Sequence, residues 1–239
     1  MSTIYLFRHG QAGLRDDYDR LSELGHEQAR RLGAWISAER LQFDQVIIGG
    51  LRRQRETAEA ALAALHEAGL PPAEVRHDSS WNEFDLDVVY DGIAPQIAAA
   101  DAEFRAELEE QLRMIQAGDG AIHRKWTRAD TAVMRAWIED AYPCPGESWG
   151  GFVDRIRAAG EEFRRLPHDA RVAVFTSATP ISIWGAAAFD SRNPTHIMKL
   201  AASAVNSSIT VMHWRQDELF LALFNAAPHL TEPRLRTFR

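Results

Sequence analysis

The N-terminal stretch 3-TIYLFRHGQAG-13 decides the fold. Residues 3 to 7 are β-branched, aromatic or aliphatic, a composition that predicts a buried strand of the parallel type. The apolar run then stops at Arg8, His9 and Gly10. Open α/β folds bind their ligands beyond the carboxyl ends of such strands, so this polar triplet indicates a candidate site as well as a strand end.

A second stretch, 171-RVAVFTS-177, predicts another buried strand but ends without a histidine. Thr179 and Pro180 follow it, and these residue types favour the N-cap and the first position of a helix, so we expect a helix to open there. Two shorter strands are predicted at 45-QVIIG-49 and 73-AEVRH-77. The segments 208-SITVMHW-214 and 218-ELFLALF-224 predict a hairpin around residues 215–217.

Helical patterns alternate with these strands. Ser22 can cap a helix that carries Ala29, Leu32 and Ile36 on one face, and a second helix is predicted over Arg52–Glu67. Strands and helices in alternation imply right-handed crossovers and an α/β sheet. We therefore expect a three-layer α/β sandwich, with a mostly parallel central sheet and helices on both faces.

The stretch from about residue 84 to 142 breaks this alternation, because it is rich in charge and contains no convincing strand. Helices are predicted near residues 99–117 and 128–141, with Gly118, Asp119 and Gly120 between them. About 60 residues is small for a fold of its own, so we predict a single domain over residues 1–239 with a helical cap insertion at about 84–142. The turn 143-PCPGES-148 then leads into a helix predicted over residues 149–166.

Composition narrows the class of partner. The chain has 239 residues, a formal net charge of -7 and a pI near 5.7, which argues against a nucleic acid or an anionic membrane as the main partner. Cys144 is the only cysteine, which excludes an internal disulfide and fits a reducing cytoplasm. No stretch approaches the ~20 apolar residues that span a bilayer, and Arg8 and His9 interrupt what would be the apolar region of a secretion signal. We expect a cytoplasmic protein.

The residues after the first strand suit attack on phosphorus. Imidazole can act as a covalent nucleophile, and its ordinary pKa of about 6.5 leaves His9 largely neutral near pH 7. Arg8 can bind an anion with a planar fork, and Gly10 allows a close backbone approach. Together they would give a phosphohistidine, although a strand-end histidine is more often structural.

The stretch 49-GGLRRQRETAEAAL-62 adds a second basic strand end. The helix that begins there presents Arg52, Arg53 and Arg55, and helix N-termini favour anions through their free N–H groups and macrodipole. An arginine that faces inward would add a charge-assisted hydrogen bond worth ~1.5–3 kcal/mol. We expect two of the three arginines to lie on a solvated face.

Five motifs in fixed order make the sequence resemble the histidine phosphatase superfamily, also called the phosphoglycerate mutase-like family. The resemblance runs from about Ile4 to Leu230. The matching residues are Arg8-His9-Gly10; Leu51, Arg53, Thr57 and Ala58; Glu83; 145-PGES-148; and Asn225 with His229-Leu230.

The resemblance implies a role for each matching residue. His9 would be the phosphoryl-accepting nucleophile, Arg8 and Arg53 would clamp the non-bridging oxygens, and Glu83 would protonate the leaving alkoxide and then activate water, a role worth ~10²–10⁴-fold in rate. It implies no metal ion and no cofactor. The phosphate-binding set predicted from it is Arg8, Gly10, Gln11, Arg53, Ser177 and Ala178.

One position departs from the family pattern. The family usually ends its late strand with a second histidine that helps to bind the phosphoryl group, and Ser177 stands there in this chain. Losing one preorganised donor of this kind costs ~10²–10³ in turnover. The helix that follows could still offer free N–H groups, together with the Ser177 hydroxyl. We predict a metal-independent phosphatase acting on a small phosphate monoester, with activity weakened at this position.

Alternatives remain open. A catalytically weak or inactive relative would bind a phosphorylated ligand, and a mutase would pass the phosphoryl group to a second hydroxyl. Mutases of this family typically extend the first motif with Ser, Trp and Asn, which the run 8-RHGQAGLR-15 lacks. The segment 84-FDLDVVYD-91 resembles the aspartate motif of haloacid dehalogenase-type phosphatases, but no apolar strand precedes it. The cluster 123-HRKW-126 is interpreted as a solvated loop or a contact for a second anionic group. The sequence identifies neither the substrate nor the oligomeric state.

Overall fold

The structure, a computed structural model, describes residues 1–14, 17–118 and 126–238. Its described residues form one six-stranded sheet in the order β3-β2-β4-β1-β5-β6. The strands are β1 (Ser2–Arg8), β2 (Gln45–Ile48), β3 (Glu74–His77), β4 (Arg171–Thr176), β5 (Ile209–Arg215) and β6 (Glu218–Ala226).

Four neighbouring strands run parallel, as the sequence predicts. β4 pairs in parallel with β1 on one side and with β2 on the other, and β2 pairs in parallel with β3. β5 runs antiparallel to both β1 and β6, and the hairpin turn uses Gln216 and Asp217 at positive φ. In the β1–β4 register Arg8 lies opposite Thr176, so His9 and Ser177 emerge at the same edge of the sheet.

The described residues contain eight α-helices. They are α1 (Glu23–Ala38), α2 (Arg52–Glu67), α3 (Leu86–Ala100), α4 (Ala102–Gln116), α5 (Arg128–Ile138), α6 (Trp149–Ala159), α7 (Ala178–Ala187) and α8 (Pro194–Ser203). The Ser22 hydroxyl accepts the Gly25 N–H and caps α1, as predicted. In these described ranges no helix is long and apolar enough to cross a bilayer.

Some helix predictions were wrong in number and in position. α3 was not predicted, although it is fifteen residues long with Pro95 inside it. α8 was missed because it is only ten residues long and is marked by its N-cap, Asn193, rather than by an apolar pattern. The helix predicted over 149–166 ends at Ala159, and a 3₁₀ helix over Glu161–Arg165 follows.

The start of α7 also differs from the prediction. The helix begins at Ala178, so Thr179 is not its N-cap, and Ser177 precedes it without a side-chain capping bond. The Thr179 N–H instead donates to a carboxylate oxygen of Glu83 at 3.1 Å. A side chain from another part of the chain therefore satisfies this helix end.

The sheet is covered on both faces by apolar side chains. On one face Phe7 stacks on Phe175 with ring centroids 5.0 Å apart, in a cluster built with buried residues of α1 and α2. Side chains alternate along a strand, so Leu6 points to the other face, where Phe163 and Trp184 pack. β4 and β1 are the two central strands of the sheet, and the residues that follow them, Ser177 and His9, are buried.

The chain divides into two compact units. The first comprises Met1–Glu83 and Arg155–Arg239, and holds the sheet; the second is Phe84–Asp154. Within the second unit Trp137 packs on Phe84 with centroids 4.8 Å apart and donates its indole N–H to the Glu147 carbonyl at 2.9 Å. That this stretch caps the sheet stays a prediction. Of the cluster 123-HRKW-126, only Trp126 belongs to the described residues.

Candidate active site

His9 is buried at the end of β1 and its ring is held in one tautomer. Nδ1 lies 2.7 Å from the carbonyl oxygen of Gly10, which can only accept, so Nδ1 carries the proton and donates. Nε2 lies 3.2 Å from Nε of Arg53, which can only donate, so Nε2 accepts. The lone pair of the ring is therefore on Nε2 and points toward Arg53.

Burial keeps this imidazole neutral. The pKa of His9 is lowered well below 6.5, first by burial and then by the positive charges of Arg53 and Arg8; the hydrogen bond to Gly10 opposes the shift. A neutral ring with an available Nε2 lone pair is the form that can act as a nucleophile.

Arg53 is the inward-facing arginine of α2. Its Nη1 donates to a carboxylate oxygen of Asp19 at 2.7 Å, and its guanidinium lies 5.0 Å from the ring centroid of Tyr18. The second oxygen of Asp19 accepts the N–H of Arg52 at 3.1 Å. The Asp19 carboxylate, 52% exposed, thus binds both an arginine and the N-terminus of a helix, as an external anion would.

The other two arginines of this turn are directed elsewhere. Arg52 pairs with Glu56 at 2.6 Å on an exposed helix face, and Arg55 donates to the carbonyl oxygen of Gly50. Arg53 alone of the three is buried. Arg52 is exposed, as expected for a solvated face, whereas Arg55 is half-buried, so the expectation of two solvated arginines holds only for Arg52.

Arg8 is buried beside His9 and is only partly engaged. Its Nη1 donates to the carbonyl oxygen of Ala204 and its Nη2 to that of Phe238 at 2.9 Å, while Nε has no partner among the described residues. Burial is the largest influence on Arg8 and lowers its pKa, Arg53 adds to that effect, and the charges of Tyr18 and Glu83 oppose it. A buried N–H without a partner is costly, so Nε is a donor that an oxyanion could satisfy.

Gly10 and Gln11 form a tightly packed turn after His9. A Cβ on Gly10 would lie 2.5 Å from the carbonyl oxygen of Gly25, so only glycine allows α1 to approach this closely. The Gly10 N–H donates to Oγ1 of Thr57 at 3.0 Å, and the Gln11 N–H to Oε1 of Gln28 at 2.7 Å. The conformation of the turn is therefore held by α1 and α2 on either side of it.

The end of β4 offers hydrogen bonds but no charge. Ser177 is buried, and its hydroxyl oxygen accepts from Nε2 of Gln54 at 2.9 Å. Ala178 is the first residue of α7, and the next N–H, that of Thr179, donates to Glu83. A carboxylate is favoured at a helix N-terminus, so α7 holds Glu83 at this edge of the sheet.

Gln54 links three segments at the site and was missed by the sequence analysis. Its Oε1 accepts the Leu51 N–H at 3.2 Å, and its Nε2 donates to Ser177 and, at 3.4 Å, to the carbonyl oxygen of Trp81. The only sequence signal was its place three residues after the N-cap Leu51, a position where a polar side chain reaches back to the N-cap.

The late motif is linked to the backbone of His9 through Ser207. Nε2 of His229 is 2.8 Å from Oγ of Ser207, whose N–H donates to the His9 carbonyl oxygen at 3.0 Å. Burial lowers the pKa of His229 to about 4, and the charge of Arg31 adds to the effect. The Asn225 side chain donates to the Ser203 carbonyl oxygen and so holds the segment that precedes Ser207. These contacts support the backbone of the nucleophile.

The aspartate motif at 84-FDLDVVYD-91 has a structural explanation. One carboxylate oxygen of Asp85 accepts the N–H groups of Asp87 and Val88 at 3.1 Å and caps α3. Over residues 1–14, 17–118 and 126–238, no three side chains of the His, Cys, Asp and Glu types come together in a group that could hold a metal ion.

Known proteins resemble this chain in sequence and in fold. The family model of the histidine phosphatase superfamily, branch 1, matches residues 4–121 and 94–227, more than half of the chain. The chain belongs to this superfamily. The resemblance drawn from the five motifs and the α/β fold with its mostly parallel sheet are confirmed.

Curated relatives match only part of the chain. The 2,3-bisphosphoglycerate-dependent phosphoglycerate mutase of Methylorubrum populi is 35% identical over 91 residues, which make up 34% of this chain and 41% of the mutase. The match thus spans less than half the length of that relative.

Solved structures match over nearly the whole length. The α-ribazole phosphatase of Shigella flexneri is 18% identical with a TM-score of 0.60, covering 94% of this chain and 96% of that one. A mycobacterial glucosyl-3-phosphoglycerate phosphatase with inorganic phosphate is 23% identical with a TM-score of 0.56, covering 96% and 99%. At these identities the likeness establishes the fold.

Proposed function

We propose that this protein is a phosphatase that hydrolyses a small phosphate monoester, without a metal ion, through a phosphohistidine at His9. The observation that carries the proposal is the fixed tautomer of His9: the Gly10 carbonyl holds the proton on Nδ1, which leaves the Nε2 lone pair beside Arg53. Membership of the histidine phosphatase superfamily supports the same class of reaction.

In the first step Nε2 of His9 forms a bond to phosphorus while the bond from phosphorus to the ester oxygen breaks. The leaving oxygen takes a proton from the Glu83 carboxyl group, which the Thr179 N–H orients. The ring gains positive charge as Nε2 bonds to phosphorus, and the Gly10 carbonyl oxygen stabilises that charge through the proton on Nδ1.

In the second step the Glu83 carboxylate takes a proton from water as the water oxygen attacks phosphorus. The bond between Nε2 and phosphorus breaks, inorganic phosphate leaves, and His9 returns to its neutral form with Glu83 protonated. The same carboxyl group thus acts as acid and then as base, and the protons balance over one cycle.

Substrate binding requires one hydrogen bond to move. In the resting site Nε of Arg53 donates to the nucleophile itself, at 3.2 Å. A non-bridging phosphate oxygen would accept this N–H in place of Nε2 and free the lone pair for attack. The unpartnered Nε of Arg8 would supply a second charge-assisted bond, so the two arginines would bind the phosphoryl group from different elements.

A protein that binds a phosphorylated ligand with little or no turnover is the second candidate. The observation that favours it is Ser177, which is buried, accepts from Gln54, and brings no positive charge to the end of β4. A mutase is less favoured, because the first motif lacks the Ser, Trp and Asn typical of that branch.

A chemical trap separates these candidates. Protein in excess chelator would be mixed with an activated aryl phosphate, quenched in alkali, and digested for mass spectrometry. We expect an acid-labile, alkali-stable phosphoryl group on the peptide that carries His9, together with release of the aryl alcohol. Its absence from the parent protein, with inorganic phosphate still bound in calorimetry, would favour the binding protein.

The matched control for the trap is His213→Ala. His213 is a partly buried histidine on β5 that contacts Thr3, far from the carboxyl end of β1. We expect His213→Ala to be labelled like the parent and His9→Ala to show no label on this peptide. Equal labelling of His9→Ala would overturn the assignment of the nucleophile.

A further inference from the structure

Residues 235–238 form a short segment that contacts Arg8 of the candidate site. We call this segment the C-terminal strap. The Phe238 carbonyl oxygen accepts from Nη2 of Arg8 at 2.9 Å. The Thr237 carbonyl oxygen accepts the N–H of Asn206 at 2.8 Å. The strap therefore reaches both the guanidinium of Arg8 and the loop that precedes β5.

Gln28 on α1 joins the strap to the turn after His9. Its Oε1 accepts the Gln11 N–H at 2.7 Å, and its Nε2 donates to the Leu235 carbonyl oxygen at 2.7 Å and to Oγ1 of Thr237 at 2.9 Å. One buried amide thus holds residue 11 and the strap at a fixed separation. The orientation of the amide is set by its partners, since Gln11 supplies a donor and Leu235 an acceptor.

Thr237 connects Gln28 to Asn206. Its hydroxyl accepts from Gln28 and donates to Oδ1 of Asn206 at 2.9 Å. Gln28 and Asn206 are both fully buried, so water cannot readily replace a lost partner. Leaving a buried amide group unpaired costs more than the net value of one exposed hydrogen bond. The loop that contains Asn206 also supplies Ser207, whose N–H holds the His9 carbonyl oxygen.

We propose that the C-terminal strap is a positioning element of the active site and that Thr237 is its positioning residue. With Nη1 held by Ala204 and Nη2 held by Phe238, the guanidinium of Arg8 is fixed and its Nε is presented in one orientation. A long side chain fixed in this way loses its rotamer entropy on folding rather than on binding an oxyanion. The inference rests on the proposed function for its consequence in catalysis, but the fixing of Arg8 can be measured without it.

Two variants separate the backbone of the strap from its side chain. A chain truncated after Arg236 loses the Thr237 and Phe238 carbonyl groups and the Thr237 hydroxyl. Phe238→Ala keeps the carbonyl that Arg8 uses and removes only an aromatic side chain that is 55% exposed. We expect truncation to weaken inorganic phosphate binding in calorimetry at least ten-fold and to lower kcat/KM by a similar factor, and Phe238→Ala to stay within two-fold of the parent.

A second pair of variants tests the Thr237 hydroxyl itself. Thr237→Val keeps the shape and removes the hydroxyl, whereas Thr237→Ser keeps the hydroxyl and removes a methyl group. We expect phosphate affinity to fall several-fold in Thr237→Val and to be retained in Thr237→Ser. All comparisons would be made well below the melting temperature of each variant. A variant with a lower melting temperature but unchanged phosphate affinity and kcat/KM would show a structural role only, and would overturn the inference.

A direct readout of Arg8 keeps the test independent of turnover. The Nε–H resonance of Arg8, assigned by its loss in Arg8→Lys, should exchange slowly with solvent in the parent and at least ten times faster after truncation. Equal exchange in the two proteins would overturn the inference. If truncation speeds exchange but the parent binds no phosphate and forms no phosphohistidine, the positioning role stands and the proposed function fails.

Discussion

The ends of β1 and β4 are parallel neighbours with opposite chemistry. Both strands stop at the same edge of the sheet, with Arg8 opposite Thr176 in the register. At the end of β1 lie a guanidinium and a neutral imidazole whose Nε2 lone pair accepts only the N–H of Arg53, which a phosphate oxygen could replace as acceptor. At the end of β4 lie Ser177 and Thr179, two small neutral residues. The Ser177 hydroxyl already accepts from Gln54, and the Thr179 N–H already donates to Glu83.

The difference indicates a division of labour between the two strands. In the proposed mechanism β1 supplies the reacting atom, while β4 and the first turn of α7 hold the groups that assist it, since the Thr179 N–H orients Glu83. Equal backbone geometry therefore does not mean equal function, because the side chain at the strand end decides what that end can do. The predictions below test this division, from the largest expected effect to the smallest.

Removing the imidazole at the β1 end should have the largest effect. In His9→Ala we expect kcat on an aryl phosphate to fall by a factor on the order of 10⁴ or more, as is usual when a nucleophile is removed. The measurement is initial-rate release of the aryl alcohol, with circular dichroism to confirm folding. A loss below ten-fold would mean that β1 does not supply the reacting atom.

The proton-transfer group held by α7 should come next. Glu83→Gln keeps an oxygen that can accept the Thr179 N–H but cannot transfer a proton, so we expect kcat to fall by about 10²–10⁴-fold on an alkyl phosphate. The loss should be smaller for a nitrophenyl ester, whose leaving group needs no protonation. The same loss on both esters would argue that Glu83 acts through structure rather than as an acid.

Adding a histidine to the β4 end would reduce the contrast directly. In Ser177→His we expect kcat to rise by about ten-fold or more, toward the ~10²–10³ that a preorganised donor can supply. Ser177→Ala is the matched control, because it removes only the oxygen that Gln54 donates to, and it should change kcat by a few-fold at most. A correctly folded Ser177→His with parental or lower kcat would show that a histidine at the end of β4 does not assist catalysis in this protein.

The two ends should also respond differently to pH. The pKa of His9 is lowered well below 6.5, chiefly by burial, so the ring stays neutral and active as the pH falls through 6.5 and loses activity only once it is protonated at lower pH. We expect the acid limb of kcat/KM in the parent to lie well below pH 6.5. Ser177→His should add a second titration. An acid limb at or above pH 6.5 in the parent would contradict the neutral, buried state of His9.

The smallest effect is expected at Asp19, whose carboxylate pairs with Arg53 in the resting site. The side chain is 52% exposed, and exposed ion pairs contribute ~0.2–1 kcal/mol, so Asp19→Asn should tighten inorganic phosphate binding only a few-fold. Asp17→Asn is the control, because Asp17 pairs with Arg20 instead. Weaker phosphate binding in Asp19→Asn would mean that the carboxylate positions Arg53 rather than competing with the ligand.

The sequence predicted the strand ends because their information is local. Short apolar runs followed by Arg8-His9-Gly10 or by Ser177 identify an edge of a parallel sheet, and the order of the motifs identified the family. The burial of Arg53, rather than of Arg52 or Arg55, was expected for one of the three arginines but could not be assigned, because it depends on how α2 packs against α1.

The supporting contacts could not be predicted, because their partners are far apart in the chain. The Gln28 amide bonds to Leu235 across 207 positions, and no spacing rule relates a helix residue to a carbonyl at that distance. The bonds of Gln54 to Ser177 and of Asp19 to Arg53 are of the same kind. Start signals for α7 also misled, since Thr179 resembles an N-cap but uses its N–H to bind Glu83.

The central position of β1 has a consequence for the order of folding. β1 precedes the other five described strands in the sequence, yet it pairs with β4 and β5, and Arg8 bonds to Ala204 and Phe238 across 196 and 230 positions. Contacts of such long range close large loops and form slowly. During synthesis on the ribosome, the bonds of Gly10 to Thr57 and of Arg53 to His9 can form once α2 has emerged, whereas Arg8 cannot complete its bonds until Phe238 has emerged. During that interval the Arg8 guanidinium lacks its native partners, and chaperones and proteases have access to this end of β1.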